Sequence, residues 1–315
     1  MPAQLTLGPL LFHWPADKWR DFYFRMADES CVDTVHLGEV VCSKRTPFTE
    51  DHYEDVTKRL QKAGKRVVFS TLAEVMIKRD RNIVKDICGL PEVMPGVMVE
   101  ANDASALDHL AGKPHAIGPF MNVYNEGTLA FLAGKGATHV CLPPELPGSS
   151  MEPMGNEAKK RKVTLEAQVY GRLPLALSAR CYHARAHGRI KDNCQFVCEE
   201  SPDGMELKTM AGKPFLAING IQTMSYTCLN LLHEMDGMAG MGIGAFRLSP
   251  HNQDMVKVAS LFRAVLDRKI GAAEATKKLS ATGTPAPFSN GFYHRVEGHR
   301  WIESETQQKK TSARA

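Results

Sequence analysis

No stretch of this sequence approaches the roughly 18 to 20 uninterrupted apolar residues that span a bilayer. Residues 229–246 come nearest, and His233, Glu234 and Asp236 interrupt them. No secretory leader is expected from the first residues either. The apolar run from Leu5 to Phe12 has no basic flank before it, and Trp14-Pro15 breaks it early. Charge of one sign is scarce: 39 Lys and Arg against 35 Asp and Glu leave a net +4. Part of that excess sits in Gln307 to Ala315, and no long basic stripe with interleaved aromatics appears. Nucleic acid is therefore not expected as a partner, and the expected location is the cytoplasm. In that compartment the eight cysteines are expected as thiols or metal ligands rather than disulfides.

Catalytic signatures are equally sparse. There is no Gly-x-Ser-x-Gly elbow and no Gly-x4-Gly-Lys-Ser/Thr phosphate loop. His233-Glu234 begins a zinc-protease signature, but Gly237 stands where its second histidine belongs. Gly240-Met-Gly242-Ile-Gly244 matches a loose dinucleotide pattern, yet Phe246-Arg247-Leu248 after it reads as a strand, not the helix that would bind a pyrophosphate. Hydrolytic and nucleotide-driven chemistry thus lack support.

What is present is an alternation of short apolar runs with helical stretches. Strands are expected at Leu5–Leu7, Thr34–Leu37, Arg66–Ser70, Val97–Glu100, His115–Ile117, His139–Leu142, Thr164–Val169, Phe215–Ile218 and Ala245–Leu248. Several are almost wholly apolar, as strands covered on both faces should be. Helices are expected at Lys18–Asp28, Thr49–Ala63, Ala104–Ala111, Glu126–Ala133 and Met255–Leu266, the last with Asp254 as its N-cap. Residues 143–160 and 199–214, rich in Pro, Gly and charge, read as loops or insertions. Alternation at this rhythm predicts an α/β fold, a TIM-barrel-like (β/α) barrel of irregular form. An open doubly wound sheet is the competing architecture. One domain is expected over residues 1–300, with a polar basic tail over 301–315. Function collects at the carboxyl ends of barrel strands. Those ends supply Glu39, Glu100, Glu145 and Asn219, each equally readable as a helix cap or surface group.

The cysteines differ in context. Cys141 and Cys228 sit in apolar runs and read as packing residues, as do Cys31 and Cys88 at helix borders. Cys181, Cys194 and Cys198 lie instead in a polar, basic segment with the spacing Cys-x12-Cys-x3-Cys. The last pair, four residues apart, would share one face of a helical turn. Cys42, following the strand Thr34–Leu37, is the best fourth member, brought to the same barrel mouth. Four soft thiolates suit zinc or an iron–sulfur cluster. Structural zinc sites usually use two closely spaced pairs, and Cys42 has no close partner. The neighbourhood is also basic (Lys44, Arg45, Arg180, Arg185, Arg189, Lys191), which would offset an anionic cluster. These points favour iron–sulfur, while zinc and a metal-free basic loop stay open. His183 and His187 read as surface residues.

At the cysteine segment the sequence resembles the peptidase U32 superfamily, and within it the UbiV-like proteins of anaerobic, O2-independent ubiquinone biosynthesis. The resemblance is carried by Leu37-Gly38-Glu39-Val40-Val41-Cys42-Ser43-Lys44-Arg45, by Ser70-Thr71-Leu72-Ala73, and by Tyr170-Gly171-Arg172-Leu173-Pro174-Leu175-Ala176-Leu177-Ser178-Ala179-Arg180-Cys181. Leu7-Gly8-Pro9-Leu10 with Trp14-Pro15, Asn219-Gly220-Ile221-Gln222-Thr223-Met224-Ser225 and Arg247-Leu248-Ser249-Pro250 add to it. It implies one [4Fe–4S] cluster held by Cys42, Cys181, Cys194 and Cys198 on a loop over 180–198. It further implies a heterodimer with a homologous UbiU-like cluster protein, and joint action with a UbiT-like lipid carrier on a ubiquinone precursor. The expected activity is a subunit's share in ring hydroxylation without O2, not proteolysis. Glu39 and Arg180, next to ligands in the chain, are expected to support the cluster from behind. A U32-type RNA hydroxylation factor and a non-catalytic zinc-stabilised scaffold are the alternatives.

Overall fold

The computed structural model describes residues 3–303. Strand and helix alternate through its first half: β1 (Gln4–Leu7), α1 (Ala16–Glu29), β2 (Thr34–Leu37), α2 (Tyr53–Lys62), β3 (Arg66–Ser70), α3 (Lys78–Val93), β4 (Val97–Ala101), α4 (Ala104–Leu110), β5 (His115–Ile117), α5 (Glu126–Gly134), β6 (Ala137–Cys141), α6 (Met151–Arg161) and β7 (Thr164–Leu177). There follow α7 (Tyr182–Ala186), β8 (Met205–Lys208), β9 (Pro214–Asn219), β10 (Gln222–Asn230), α8 (Met235–Gly240), β11 (Ile243–Leu248), α9 (Met255–Leu266), α10 (Ala272–Ser280) and β12 (Phe288–Ser289).

β1 to β7 pair in parallel in sequence order. β11 closes the ring by pairing in parallel with β7 (Phe246 opposite Ala167) and with β1 (Leu5 opposite Phe246). The result is a closed barrel of eight parallel strands wrapped by helices. β2 is buried at every position, as expected of a strand with barrel interior on one face and helices on the other. α1 shows why the helices stay: Trp19, Tyr23, Met26 and Ala27 recur at helical spacing and are buried against the barrel. Asp254 caps α9, its carboxylate accepting from the Lys257 N–H. Among the described residues no helix is long and apolar enough to cross a membrane.

The irregularity lies at β7. Its first half is a barrel strand, and its second half continues out of the mouth to pair antiparallel with β10. β10 pairs with β9, and β9 with β8. These strands form an arm inserted before the last barrel strand. Gly171 sits at the departure point with φ +105°, where a Cβ would lie 2.7 Å from the Ser249 Cβ and 2.9 Å from His251 Nε2. Only glycine admits both that backbone conformation and that approach.

Several expectations need correction. Phe215–Ile218 is a strand, but of the arm and not of the barrel. Residues 151–161 are a helix, not a loop, and 199–214 contain β8. Cys88 lies within α3 rather than at a helix border, and is buried. The ordered body also runs past residue 300: the Ile302 N–H donates to Asn290 Oδ1 at 2.7 Å, and Trp301 packs on Phe288. Residues 304–315 of the expected tail lie outside the described residues.

Candidate metal centre

Two segments leave the barrel mouth and meet. The first follows β2, where the Glu39 carboxylate accepts from the Val41 and Cys42 N–H groups at 2.7 and 2.9 Å. The Arg45 N–H in turn donates to the Cys42 carbonyl. This tight turn fixes Cys42. The second follows β7: Cys181 caps α7, its sulfur accepting from the Ala184 N–H at 3.4 Å. The chain then passes through Cys194 and Cys198. All four cysteines line one pocket, with Lys44, Arg45, His183, Lys191, Phe196, Val197 and Ile221. Cys181 and Cys198 are buried, Cys42 and Cys194 half-buried, and all are free thiols.

Cys194 and Cys198 do not share a helical face. Gln195 and Phe196 both take left-handed conformations, with φ +47° and +53°, between two short 3-10 turns. The two thiols reach the same pocket because this double reversal re-aims the chain. Phe196 is driven against Phe48 and His13, with ring centroids 4.7 and 5.7 Å away, and covers one side. Leu11, Val40, Val41, Ala184 and Ile221 pack around the cysteines as an apolar shell. Lys44 ties the two segments together by donating to the Lys191 carbonyl at 2.5 Å.

The least conspicuous residue in the sequence is the most constrained here. Arg45 is buried, 2% exposed. Its Nη2 donates to Asn219 Oδ1 at 2.6 Å and its Nη1 to the Leu11 carbonyl at 3.3 Å. The nearest carboxylate, Glu39, is 3.9 Å away, and Nε has no partner. Asn219, at the end of β9, spends its amide on the carbonyls of Cys198 and Ser201, at 2.9 and 2.8 Å. It thereby holds the Cys198 backbone against Arg45. Burial pushes the Cys42 and Cys198 thiols up, and the Arg45 guanidinium opposes that rise in both. At Cys181 burial also raises the thiol, opposed by the Ala184 N–H.

Of the other sequence-predicted residues, Glu39 stands directly behind Cys42. Arg180 is exposed and does not line the pocket, and Arg185 is likewise exposed. His183, read as a surface residue, is in fact wholly buried. Its Nδ1 bonds the Ile218 carbonyl at 3.2 Å, and its Nε2 has no partner. The sequence signal for it was its place in α7, two residues after a ligand candidate, on the face that packs on β9. The remaining cysteines do packing work. Burial pushes Cys88 up to about 11 and Cys228 up to about 12, which makes both inert thiols.

The donor set suits a thiolate-held metal centre: four thiols, apolar walls, and a buried cation beside them. Among the described residues no three of the four sulfurs lie within 4.8 Å of one another. The pocket they line is narrow. A second cluster of metal-ligating types, His36, Glu100 and Glu166, lies inside the barrel. It is already filled: the Arg247 guanidinium contacts Glu100, lies 2.5 Å from Glu166 Oε2 and 3.4 Å from His36 Nε2. Glu100, expected as a mouth residue, belongs to this interior network. Glu145 instead meets Tyr124.

Among solved structures, the chain is similar to an enolase from Agrobacterium radiobacter at 13% identity and a TM-score of 0.38, covering 53% of this chain and 45% of that one. It therefore spans less than half the length of that enolase. It is also similar to the Pyrococcus furiosus tryptophan synthase complex (11% identity, TM-score 0.41, 90% and 97% covered) and to Xanthomonas albilineans dihydropteroate synthase (12%, 0.41, 90% and 94%). The family comparison reaches further. The model of Peptidase family U32 matches residues 22–303, a span that holds Cys42, the arm, the 181–198 loop and the closing strand β11, and the chain belongs to that family.

Proposed function

We propose that this protein is an iron–sulfur protein of O2-independent ubiquinone-ring hydroxylation, with one [4Fe–4S] cluster held by Cys42, Cys181, Cys194 and Cys198. The observation that carries this reading is the meeting of these four thiols, from two distant segments, on one apolar pocket beside a buried guanidinium. The UbiV-like resemblance of the same segments supplies the pathway, the heterodimer with a UbiU-like cluster protein, and the UbiT-like carrier of the ubiquinone precursor. The spacing along the chain favours a cluster over zinc: structural zinc sites usually use two closely spaced pairs, and Cys42 has no close partner.

When bound, the cluster would supply the one-electron chemistry that ordinary side chains lack. The chain's own residues would do the rest. Glu39 orients Cys42 through two backbone N–H groups, the Ala184 N–H donates to the Cys181 sulfur, and the Phe196 ring with Leu11, Val41 and Ile221 keeps water out.

The test is purification without air, followed by absorption spectroscopy and iron and sulfide analysis. The expected result is a brown protein with a broad visible band, bleached by dithionite, and about four iron and four sulfide per chain. A colourless protein with stoichiometric zinc would overturn the reading in favour of a zinc-held scaffold. Co-expression with a homologous cluster protein should yield a heterodimer.

A further inference from the structure

A guanidinium cannot shed its proton at any working pH, and burying one is costly unless negative charge lies close by. Arg45 nonetheless sits almost wholly buried, donating to the neutral oxygens of Asn219 and Leu11 and bonded also to the Cys198 thiol. Its one carboxylate partner, Glu39, is shared. It stands 3.9 Å away and its oxygen is engaged by the N–H groups of Val41 and Cys42. The fold has gone to some length to seat it. Gly220, at φ +68°, presents its bare Cα to the guanidinium, and a Cβ there would overlap Nη2. Asn219, the neighbouring residue, orients the fork and binds the Cys198 carbonyl. Of the other basic groups near the cysteines, Arg180 and Arg185 face solvent, Arg189 donates to the Cys194 carbonyl at 3.3 Å, and Lys44 and Lys191 lie 3.6 and 4.0 Å from Asp192 and Glu74; none is as deeply buried as Arg45.

Resting on the four-cysteine reading above, we propose that Arg45, seated on Gly220, is a positioning residue: the fixed counter-charge of the metal centre, which holds its thiolates and favours its reduced state. The physical step is simple. On reduction the centre gains one electron from the reductant and its negative charge grows by one, while the guanidinium stays where it is. A cation held in a low-dielectric pocket stabilises the more negative state the more strongly. Arg45 should therefore raise both the retention of the centre and its reduction potential.

The experiment compares anaerobically purified wild type, Arg45→Met, Arg45→Lys and Gly220→Ala by iron and sulfide content and by dithionite titration followed by electron paramagnetic resonance. In Arg45→Met the one-electron equilibrium should shift at least tenfold against reduction, about 59 mV more negative, with loss of part of the iron. Arg45→Lys keeps the charge and should recover more than half of that shift. Gly220→Ala displaces the guanidinium and should move the potential in the same direction as Arg45→Met. An Arg45→Met protein with wild-type iron and potential overturns the inference, as does Arg45→Lys shifting as far as Arg45→Met. If Arg45→Met does not fold, unchanged potentials in both Arg45→Lys and Gly220→Ala overturn it. A wild-type protein without iron overturns the underlying reading, a result distinct from any of these.

Discussion

Replacing Arg247 with leucine removes the guanidinium that lies between two fully buried carboxylates, Glu100 and Glu166. Both lie inside the barrel with no solvent to replace the lost partner. Breaking a buried pair by deleting one member typically costs about 3–5 kcal/mol, and here two carboxylates are stranded, so the loss should reach that range at pH 7. Urea unfolding of the two proteins measures it. The dependence on pH separates this cause from simple loss of packing. In the wild type, burial raises both carboxyls, but Arg247, helped by His36 and His139, outweighs it and holds them below the usual range. A depressed carboxyl stabilises the fold above its unfolded value of about 4.3, and that stability is lost as the pH falls through the folded value. In Arg247→Leu the sign reverses. Burial now acts unopposed, both carboxyls rise above 4.3, and acidification from pH 7.5 towards 5.5 should stabilise the variant. The gap between the two proteins should therefore narrow over that interval. A deficit under about 1 kcal/mol, or one that stays constant with pH, would refute the reasoning.

Three further outcomes are expected. Cys194→Ala should lose the iron of the anaerobically purified protein, whereas Cys228→Ala, whose buried thiol faces packing neighbours, should keep it; full iron in Cys194→Ala would refute the ligand assignment. Gly171→Ala should lower thermal stability by the equivalent of about 1–3 kcal/mol, because the added Cβ meets Ser249 and His251 at a left-handed backbone; an unchanged midpoint would show that the arm's departure tolerates a side chain. Asn219→Ala frees both the Arg45 fork and the Cys198 carbonyl, and should lower metal retention while leaving the unfolding midpoint within about 1–2 kcal/mol of the parent, read by iron analysis beside urea unfolding.

The barrel was legible because parallel strands covered on both faces read as apolar runs, and seven of the eight were placed within a few residues by that signal alone. β7 was read only as far as Val169. Gly171 and Pro174 look like breakers, and nothing local reveals that antiparallel pairing with β10 carries the strand to Leu177. β10 is hidden in the sequence because its burial alternates only over Gln222–Ser225 and then breaks down. α3 was missed because its apolar stripe is short, Val84, Ile87 and Cys88, after a charged first turn. At the site, Cys181, Cys194 and Cys198 stand out by their polar context, and Cys42 by its place just after a barrel strand. The route by which Cys194 and Cys198 converge does not, since left-handed Gln195 and Phe196 carry no glycine to announce them. Arg45 was counted only as one basic residue among six, because a sequence shows charge but not burial.

The order in which the pocket's parts leave the ribosome has its own consequence. Cys42 emerges early and its partners follow well over a hundred residues later. The barrel that carries both segments closes only when the strand at Ile243–Leu248 has slotted between the first and seventh. A nascent chain that stops between Cys198 and that strand already holds all four thiols but leaves the sheet with an open edge. The last element to join the barrel is thus far from the pocket in sequence, and the scaffold under the thiols is complete only once nearly the whole body has emerged.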